Sequence, residues 1–205
     1  MTSAKKTSIT ILLPAGRLGT PLMNTVAALS EQYGFSQYLS TLQNLRLINV
    51  SEEHVEDIKK EIARHGVGFK GPGLFPIPRI CIGKPHCNLG VIDTEKLSEK
   101  ILAYFKNREK TKAKLKIAIS GCILSCSGTR TSDIGIVANR KGYDLYTGGK
   151  GGPSPKVGIR IKRDICEAEL LETIETIIDF HDQKTGKKQR LYKLITDDEF
   201  PFQEV

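Results

Sequence analysis

Residues 114–126 run Lys-Leu-Lys-Ile-Ala-Ile-Ser-Gly-Cys-Ile-Leu-Ser-Cys, a short apolar segment that ends at a glycine and is followed by two cysteines. Residues 79–87 follow the same plan, because Arg-Ile-Cys-Ile-Gly-Lys-Pro-His-Cys also joins a short apolar segment to a glycine and two cysteines. Each segment predicts a β-strand that ends in a glycine-bearing turn. Such turns bring backbone close to an inorganic centre and aim N–H groups at its negative charge. The paired cysteines therefore indicate a metal or redox site.

The cysteine count supports this interpretation over a disulfide framework. The chain has five cysteines, an odd number, and its sequence carries no secretion signal. Four thiolates suit either a cubane iron–sulfur cluster or zinc. The C-x5-C and C-x3-C spacings differ from the short knuckles of structural zinc sites. The candidate ligands are Cys81, Cys87, Cys122 and Cys126, whereas Cys166 has no partner in the pattern and is interpreted as structural.

The hydrophobic periodicity predicts an α+β chain with a first domain over 1–70. Thr20 and Pro21 predict the start of a first helix and Gly34 its end. A stretch rich in glycine and proline at 66–78 is the predicted linker. The predicted elements before it are strand 8–14, helix 20–33, strands 35–41 and 45–50, and a helix that Ser51 caps and Gly66 follows.

Residues 76–205 form the second predicted domain, a mixed α/β unit. Lys114 and Lys116 alternate on the strand that leads to Cys122, so both side chains are expected to point from one face toward the same site. The tail at 186–205 is polar and poorly specified. The predicted elements are strand 79–82, a helix from 93 or 94 to 108, strands 115–120, 133–138, 143–146 and 157–162, and a closing helix over 166–182.

Composition narrows the classes of partner. The formal net charge of +8 attracts anions in general. Aromatic residues make up only 6% and tryptophan is absent, which disfavours single-stranded nucleic acid because such binding depends on stacking. No apolar run approaches the roughly 18–20 residues that span a bilayer. We therefore expect a cytoplasmic protein with no membrane segment and no targeting signal.

The cysteine pattern resembles the siroheme and 4Fe–4S domain of the sulfite and nitrite reductases. Residues 1–66 are similar to the ferredoxin-like half-domain that precedes it, and the chain to about Asp182 is similar to the small single-repeat sulfite reductases. The resemblance implies a ferredoxin-like β-α-β-β-α unit followed by a siroheme- and 4Fe–4S-binding α/β domain. The strings that carry it are Cys81-x5-Cys87, Lys114-x-Lys116-x3-Ser-Gly-Cys122-x3-Cys126, Ser132-Asp-Ile-Gly135, the turn 148–158, Gly16-Arg17-Leu18 and Thr41-Leu-Gln-Asn44.

The resemblance also implies roles for these residues. All four paired cysteines would ligate a 4Fe–4S cluster, and Cys126 would in addition bridge it to the siroheme iron. Lys114 and Lys116 would hold the substrate anion, with Arg46 as a third catalytic candidate. Burying an acidic tetrapyrrole requires paired cations, and the candidates are Arg17, Arg79, Arg130 and Lys150. Larger members carry both units twice, so we expect copies of this chain to form a homo-oligomer.

The leading hypothesis is reduction of sulfite to sulfide, with nitrite reduction to ammonia as the alternative. The run at 148–152 lacks the spacing and setting of a dinucleotide loop, so an external electron donor such as a ferredoxin is expected. Leu42 stands where the half-domain often carries a basic residue, which supports a second hypothesis, a 4Fe–4S electron-transfer protein without siroheme. A third hypothesis, supported by the net charge, is a basic zinc or nucleic-acid-binding module.

Overall fold

The computed structural model describes residues 5–109, 111–112, 114–184 and 190–205. The chain divides into two compact units, Met1–Gly71 and Pro72–Val205, and the predicted linker spans this division. Each unit combines helices with a sheet of its own, so the predicted α+β class is confirmed.

The first unit has the predicted order β-α-β-β-α. Its sheet has the strand order β1-β3-β2 and is antiparallel throughout. Its elements are β1 (Lys6–Ile11), α1 (Thr20–Tyr33), β2 (Ser36–Leu39), β3 (Leu45–Ser51) and α2 (Val55–Ala63).

The helices of this unit bury one face each against one face of the sheet. Helix α1 buries Leu22, Val26 and Leu29, and α2 buries Ile58 and Ile62. Each such side chain stabilises the fold by roughly 1.5–3 kcal/mol when it is fully buried.

The helix ends depart from prediction in their caps. Gly34 ends α1 in the left-handed conformation, as predicted, but Gly19 rather than Thr20 occupies the N-cap position. Ser51 precedes a short 3-10 turn, Glu52–His54, and its hydroxyl donates to the Glu53 carboxylate instead of capping α2. The cap predicted at Thr20 is therefore wrong. Ser51 holds its predicted N-cap position before the helical segment, but its hydroxyl bonds a side chain instead of a backbone N–H.

The second unit is built on a five-stranded mixed sheet in the order β4-β5-β6-β7-β8. The first three strands run parallel and the last two pair antiparallel. Helix α3 packs on β4 and β5, and α4 packs on β7. The elements are β4 (Arg79–Ile80), α3 (Thr94–Tyr104), β5 (Ile117–Ser120), β6 (Ile134–Ala138), β7 (Tyr143–Thr147), β8 (Ile159–Ile165) and α4 (Glu167–Lys184).

The lysine pair lies outside the strand it was predicted to occupy. Strand β5 begins at Ile117, because Leu115 closes a turn onto the Lys112 carbonyl and the Lys116 N–H is bonded to a carboxylate oxygen of Asp133. Both lysine side chains are exposed on either side of the buried Leu115. Both lysines precede β5, and their common direction stays a prediction.

The tail is ordered by contacts with the second unit. Leu191 and Leu194 are buried, and the Val205 N–H donates to the Arg160 carbonyl at 2.8 Å. The prediction of a poorly specified tail is wrong for 190–205, while 186–189 lie outside the described residues. Among the helices of the described ranges, none is long and apolar enough to cross a bilayer.

Candidate functional site

The two cysteine-bearing turns meet at one edge of the second sheet. Strands β4 and β5 are parallel neighbours, so the turns that follow them leave at the same edge. The Gly121 N–H donates to Cys81 Sγ at 3.1 Å, and the Val91 N–H donates to the Gly121 carbonyl at 2.7 Å. We call this region, residues 81–92 and 121–126, the thiol end.

Two glycines and one threonine make this close approach possible. A Cβ on Gly83, whose φ is 56°, would lie 2.6 Å from Thr94 Oγ1, and one on Gly121 would lie 3.3 Å from the Gly83 Cα. Thr94 is fully buried between them and donates its hydroxyl to the Cys81 carbonyl at 2.6 Å. The sequence identified Thr94 only as a possible helix start, and its contact with the cysteine turn carried no sequence signal.

The structure brings the turns together without gathering the thiols. Cys81, Cys87 and Cys122 are partly buried, whereas Cys126 and Cys166 are exposed. Over the ranges that the structure describes, no three His, Cys, Asp or Glu side chains are grouped as metal ligands. Ligation by all four cysteines therefore stays a prediction. The exposed apolar side chains that surround the turns are Ile82, Leu89, Ile123 and Leu124.

Arg79 provides a test of whether this region suits an acidic cofactor. Its guanidinium lies against the turn after Cys126, where a Cβ on Gly128 would come within 2.7 Å of Nη2. Its Nε is buried, with no hydrogen-bond partner in the described part of the chain. Burial also lowers the pKa of Arg79. A partly buried guanidinium with a buried, unsatisfied donor suits an anionic group. The cysteines, the N–H···S bond and this unsatisfied donor are the kinds of group that would hold an iron–sulfur cluster beside a carboxylate-bearing group.

The opposite end of β5 carries the predicted basic residues. Asp133, whose side chain is 0% exposed, accepts the Lys116 N–H and both arms of Arg190, each at 3.0 Å. Burial raises the pKa of Asp133, although Arg190 and the Lys116 N–H act in the opposite direction. This carboxylate holds the backbone of the lysine segment in place. We call residues 114–116, 130–133 and 148–158 the basic end.

The glycine-rich turn belongs to this same end. Its first residue, Gly148, donates its N–H to the Asp133 carbonyl at 2.9 Å. Lys150 places its ammonium 5.0 Å from the centre of the Tyr192 ring, and the exposed Arg130 lies 5.1 Å from the centre of the Tyr146 ring. The predicted residues Lys114, Lys116, Arg130 and Lys150 therefore share one end of the sheet.

Strand β5 separates the two ends. At about 3.3 Å per residue, its four residues span roughly 13 Å, more than a lysine side chain can reach. That Lys114 and Lys116 point toward one shared site stays a prediction, and within one copy the lysines and the cysteines flank opposite ends of β5. The lysines precede the amino end of the strand and the cysteines follow its carboxyl end.

The first unit brings together the two strings that were matched to the half-domain. Asn44 Oδ1 accepts the Leu13 N–H at 3.2 Å, and a Cβ on Gly16 would lie 3.1 Å from the Gln43 Cβ. Arg17 is exposed beside Gly16. Arg46 is also exposed, on β3, and donates to Ser8 Oγ at 3.2 Å. Leu42 is partly exposed in the same turn as Gln43 and Asn44.

Together, the fold and the thiol end define an α+β protein with two cysteine-bearing turns at the carboxyl edge of parallel strands. Residues 78–198 match the family model of the nitrite and sulphite reductase 4Fe-4S domain. Residues 2–65 match that of the nitrite/sulfite reductase ferredoxin-like half domain. The chain belongs to the nitrite and sulfite reductase family.

Individual relatives include enzymes named for either anion. The chain is 25% identical to the large subunit of a nitrite reductase [NAD(P)H] from Klebsiella oxytoca, covering 89% of this chain and 19% of that protein. It is 26% identical to an assimilatory-type sulfite reductase from Nitratidesulfovibrio vulgaris, covering 89% of this chain and 83% of that one. The chain thus spans about a fifth of the length of the nitrite reductase subunit.

Solved structures share the fold at low identity. Dissimilatory sulfite reductase I has a TM-score of 0.79 at 12% identity, with 92% of this chain and 66% of that chain covered. The NirA protein of Mycobacterium tuberculosis has a TM-score of 0.72 at 16% identity, with 92% and 37% covered. At these identities the likeness establishes the architecture alone.

Proposed function

We propose that this protein reduces sulfite to sulfide, using a 4Fe–4S cluster and siroheme and electrons from an external donor such as a ferredoxin. The observation that carries the proposal is the junction of the two cysteine turns, where Gly121 N–H donates to Cys81 Sγ. N–H donors of this kind stabilise thiolates that carry the negative charge of a cluster. Family membership supplies the class of chemistry, and the size-matched relative named for sulfite supports the choice of anion.

In this proposal the residues of the thiol end hold the cofactors. Cys81, Cys87, Cys122 and Cys126 would ligate the cluster, and Cys126, the most exposed of them, would also hold the siroheme. When bound, the two groups would supply stored electrons and an iron that takes the substrate anion. Arg79 donates its unsatisfied Nε to a siroheme carboxylate, and the exposed apolar side chains at 82, 89, 123 and 124 lie against the macrocycle or a second chain.

The basic end supplies charge and protons to the anion. Lys114 and Lys116 would hold the sulfite anion and supply protons to it, and Arg130 and Lys150 would bind carboxylates of the cofactor. In the first unit, Arg46 and Arg17 are candidates for the same task. Because β5 separates the lysines from the thiols, we infer that a complete site takes its thiols from one copy and its lysines from another. This inference is the basis for expecting a homo-oligomer.

Anaerobic purification followed by absorption spectroscopy and turnover with a reduced dye tests the proposal. We expect bands of siroheme and of an iron–sulfur cluster, with sulfite consumed and sulfide formed. A cluster spectrum without siroheme bands would instead support the second hypothesis, a 4Fe–4S electron-transfer protein, which Leu42 favours. Zinc without iron would contradict both.

Nitrite reduction to ammonia is the second candidate, favoured by relatives such as the NADH-dependent nitrite reductase large subunit of Escherichia coli, 24% identical. Parallel turnover of the two anions under identical conditions separates the candidates. The proposal for sulfite predicts the higher kcat/KM for sulfite, and the reverse ranking would replace it with nitrite.

Mixing two impaired variants, assayed at a low sulfite concentration, tests the shared site. Cys126→Ser lacks a thiol, and the double variant Lys114→Ala with Lys116→Ala lacks the anion-holding charges. If sites form between copies, co-expression of the two variants restores part of the activity, because some sites combine an intact thiol end with an intact basic end. Co-expression that restores nothing would contradict the arrangement. Two copies of Cys126→Ser alone serve as the matched control.

A further inference from the structure

The first described part of the tail, residues 190–195, touches the basic end at three separate points. We call these residues the strap. Arg190 pairs with Asp133, the ring of Tyr192 lies beside two lysines, and Ile195 packs on Gly148. Each contact reaches a residue or segment that the proposed function uses for anions. None of the three was expected from the sequence.

The Arg190 contact is a two-armed ion pair with a buried carboxylate. Nε donates to Oδ1 and Nη2 to Oδ2 of Asp133, and the second oxygen also accepts the Lys116 N–H. The fork of a guanidinium fixes the rotation of the carboxylate it binds, which an ammonium does not. Arg190 therefore orients the acceptor that holds the backbone of the lysine segment.

The same aspartate holds the start of the glycine-rich turn. Its backbone carbonyl accepts the Gly148 N–H and the Thr147 hydroxyl, at 2.9 and 3.1 Å. Its side chain and its carbonyl thus hold two different anion-binding segments. A shift of Asp133 would move both segments together.

The Tyr192 contact fixes two positive charges on one ring. The ammonium groups of Lys150 and Lys156 lie 5.0 and 5.4 Å from the ring centre, within the range of cation–π attraction. The backbones of these two lysines also pair with each other, at 2.9 and 2.7 Å. The ring gives both flexible side chains a common support.

The Ile195 contact closes the strap over the turn. Gly148 has a φ of 76°, and a Cβ there would lie 2.7 Å from Ile195 Cγ2. The absence of a side chain at 148 is what lets the strap approach the turn this closely.

We propose that the strap positions the basic end for anion binding: Arg190 acts through Asp133 on the lysine segment, and Tyr192 acts on Lys150 and Lys156. Arg190 and Tyr192 are positioning residues, because neither is placed against the substrate or cofactor. The assignment rests on the proposed function only for the identity of the anion. The mechanical part, that the strap fixes segments 114–118 and 148–156, stands on the contacts alone.

The test compares Arg190→Gln and Arg190→Lys with Arg108→Gln in the full-length, cofactor-loaded protein. Arg108 also pairs with two aspartates, Asp179 and Asp182 of α4, at 2.6 and 3.0 Å, and among the described residues its ion pairs reach α4 rather than the strap or the basic end. Amide hydrogen exchange is measured on peptides covering 114–118 and 148–156, and sulfite KM and kcat are measured on the same samples.

We expect Arg190→Gln to speed exchange in both peptides and to raise the sulfite KM about ten- to a hundredfold, the scale at which a misplaced binding group acts. Arg190→Lys should fall between wild type and Arg190→Gln, and Arg108→Gln should match wild type. Unchanged exchange at 114–118 in Arg190→Gln would overturn the proposal. So would equal effects of Arg190→Gln and Arg108→Gln on both peptides.

Tyr192→Leu and Tyr192→Phe keep the test decisive if the arginine variants fail to fold. The leucine removes the ring and should speed exchange at 148–156, whereas the phenylalanine keeps the ring and should leave it unchanged. Identical exchange in both variants and wild type would overturn the role of Tyr192. If exchange follows the expected pattern while wild-type protein turns over no sulfite, the strap stands and the proposed function fails.

Discussion

The two ends of strand β5 are built in different ways. At the thiol end, the backbones of the turns after β4 and β5 lie in close contact, because Gly83 and Gly121 have no side chains. Thr94 fills the space between them. At the basic end, a buried carboxylate collects the Lys116 N–H and the Arg190 guanidinium. The thiol end thus depends on shape, and the basic end on charge.

This difference indicates what each end is prepared for. Turns that approach closely and direct N–H groups at sulfur suit a group that carries negative charge on thiolates. A fixed set of basic side chains suits anions from solution or the carboxylate groups of a cofactor. Strand β5 joins the two ends. Each copy of the chain therefore carries the proposed cofactor-binding residues at one end of β5 and the proposed anion-binding residues at the other.

At the basic end, the substitution that we expect to lower stability most is Asp133→Ala. It leaves the Arg190 charge without its buried partner and the Lys116 N–H without its acceptor, so we expect a loss of about 3–5 kcal/mol in the free energy of unfolding. Urea unfolding of the cofactor-free protein measures it. Asp179→Ala removes a half-exposed partner of Arg108 and should cost at most about 1 kcal/mol. Equal losses in the two variants would contradict a charge-built end.

At the thiol end, the corresponding substitution lowers stability by a steric clash. Gly83→Ala puts a Cβ 2.6 Å from Thr94 Oγ1 and 3.0 Å from the Ile92 carbonyl, at a left-handed φ, so we expect a loss of about 1–3 kcal/mol and reduced iron content. Gly151→Ala is the control, because nothing lies within 4 Å of a Cβ there. Its stability should stay within about 0.5 kcal/mol of wild type. Normal iron content in Gly83→Ala would show that the turns need not touch.

A smaller effect is expected from Thr94→Val. Valine keeps the shape that fills the space but loses the hydroxyl that donates to the Cys81 carbonyl, which we expect to cost about 0.5–1.5 kcal/mol. Thr176→Val, on α4, removes a comparable bond to the Glu172 carbonyl from an exposed position and is the control. Thermal unfolding of both variants measures the contrast. A Thr94→Val protein as stable as Thr176→Val would show that the Thr94 hydroxyl does not stabilise the cysteine turn.

The smallest effect on stability should come from the lysines themselves. Lys114→Ala with Lys116→Ala removes two exposed side chains, so unfolding should shift by no more than about 0.5 kcal/mol while both cofactors are retained. The sulfite KM should nevertheless rise, because the anion loses its positive partners. Unchanged kinetics would exclude the pair from the substrate site.

Local signals in the sequence predicted much of this fold. Pro21 and Gly34 delimited α1, and the short apolar segments before Cys81 and Cys122 predicted the strands that bring the cysteine turns to one edge. These predictions succeeded because each depends on residues that are neighbours along the chain.

Contacts between distant residues could not be predicted in the same way. Lys116 and Asp133 are 17 positions apart, and Asp133 and Arg190 are 57 apart, so no periodicity connects them. The alternation at 114–116 indicated a strand, but a side-chain carboxylate had taken the backbone N–H that a longer strand would use. The packing of the polar tail could not be predicted either, because its buried residues are spaced irregularly among charged ones.

Iron and acid-labile sulfide per chain, measured after anaerobic purification of wild type, Cys126→Ser and Cys166→Ser, test most directly whether the two turns hold a cluster. We predict about four of each in wild type and in Cys166→Ser, and a marked loss in Cys126→Ser. Iron that persists in Cys126→Ser but disappears in Cys166→Ser, or zinc in place of iron, would contradict this prediction.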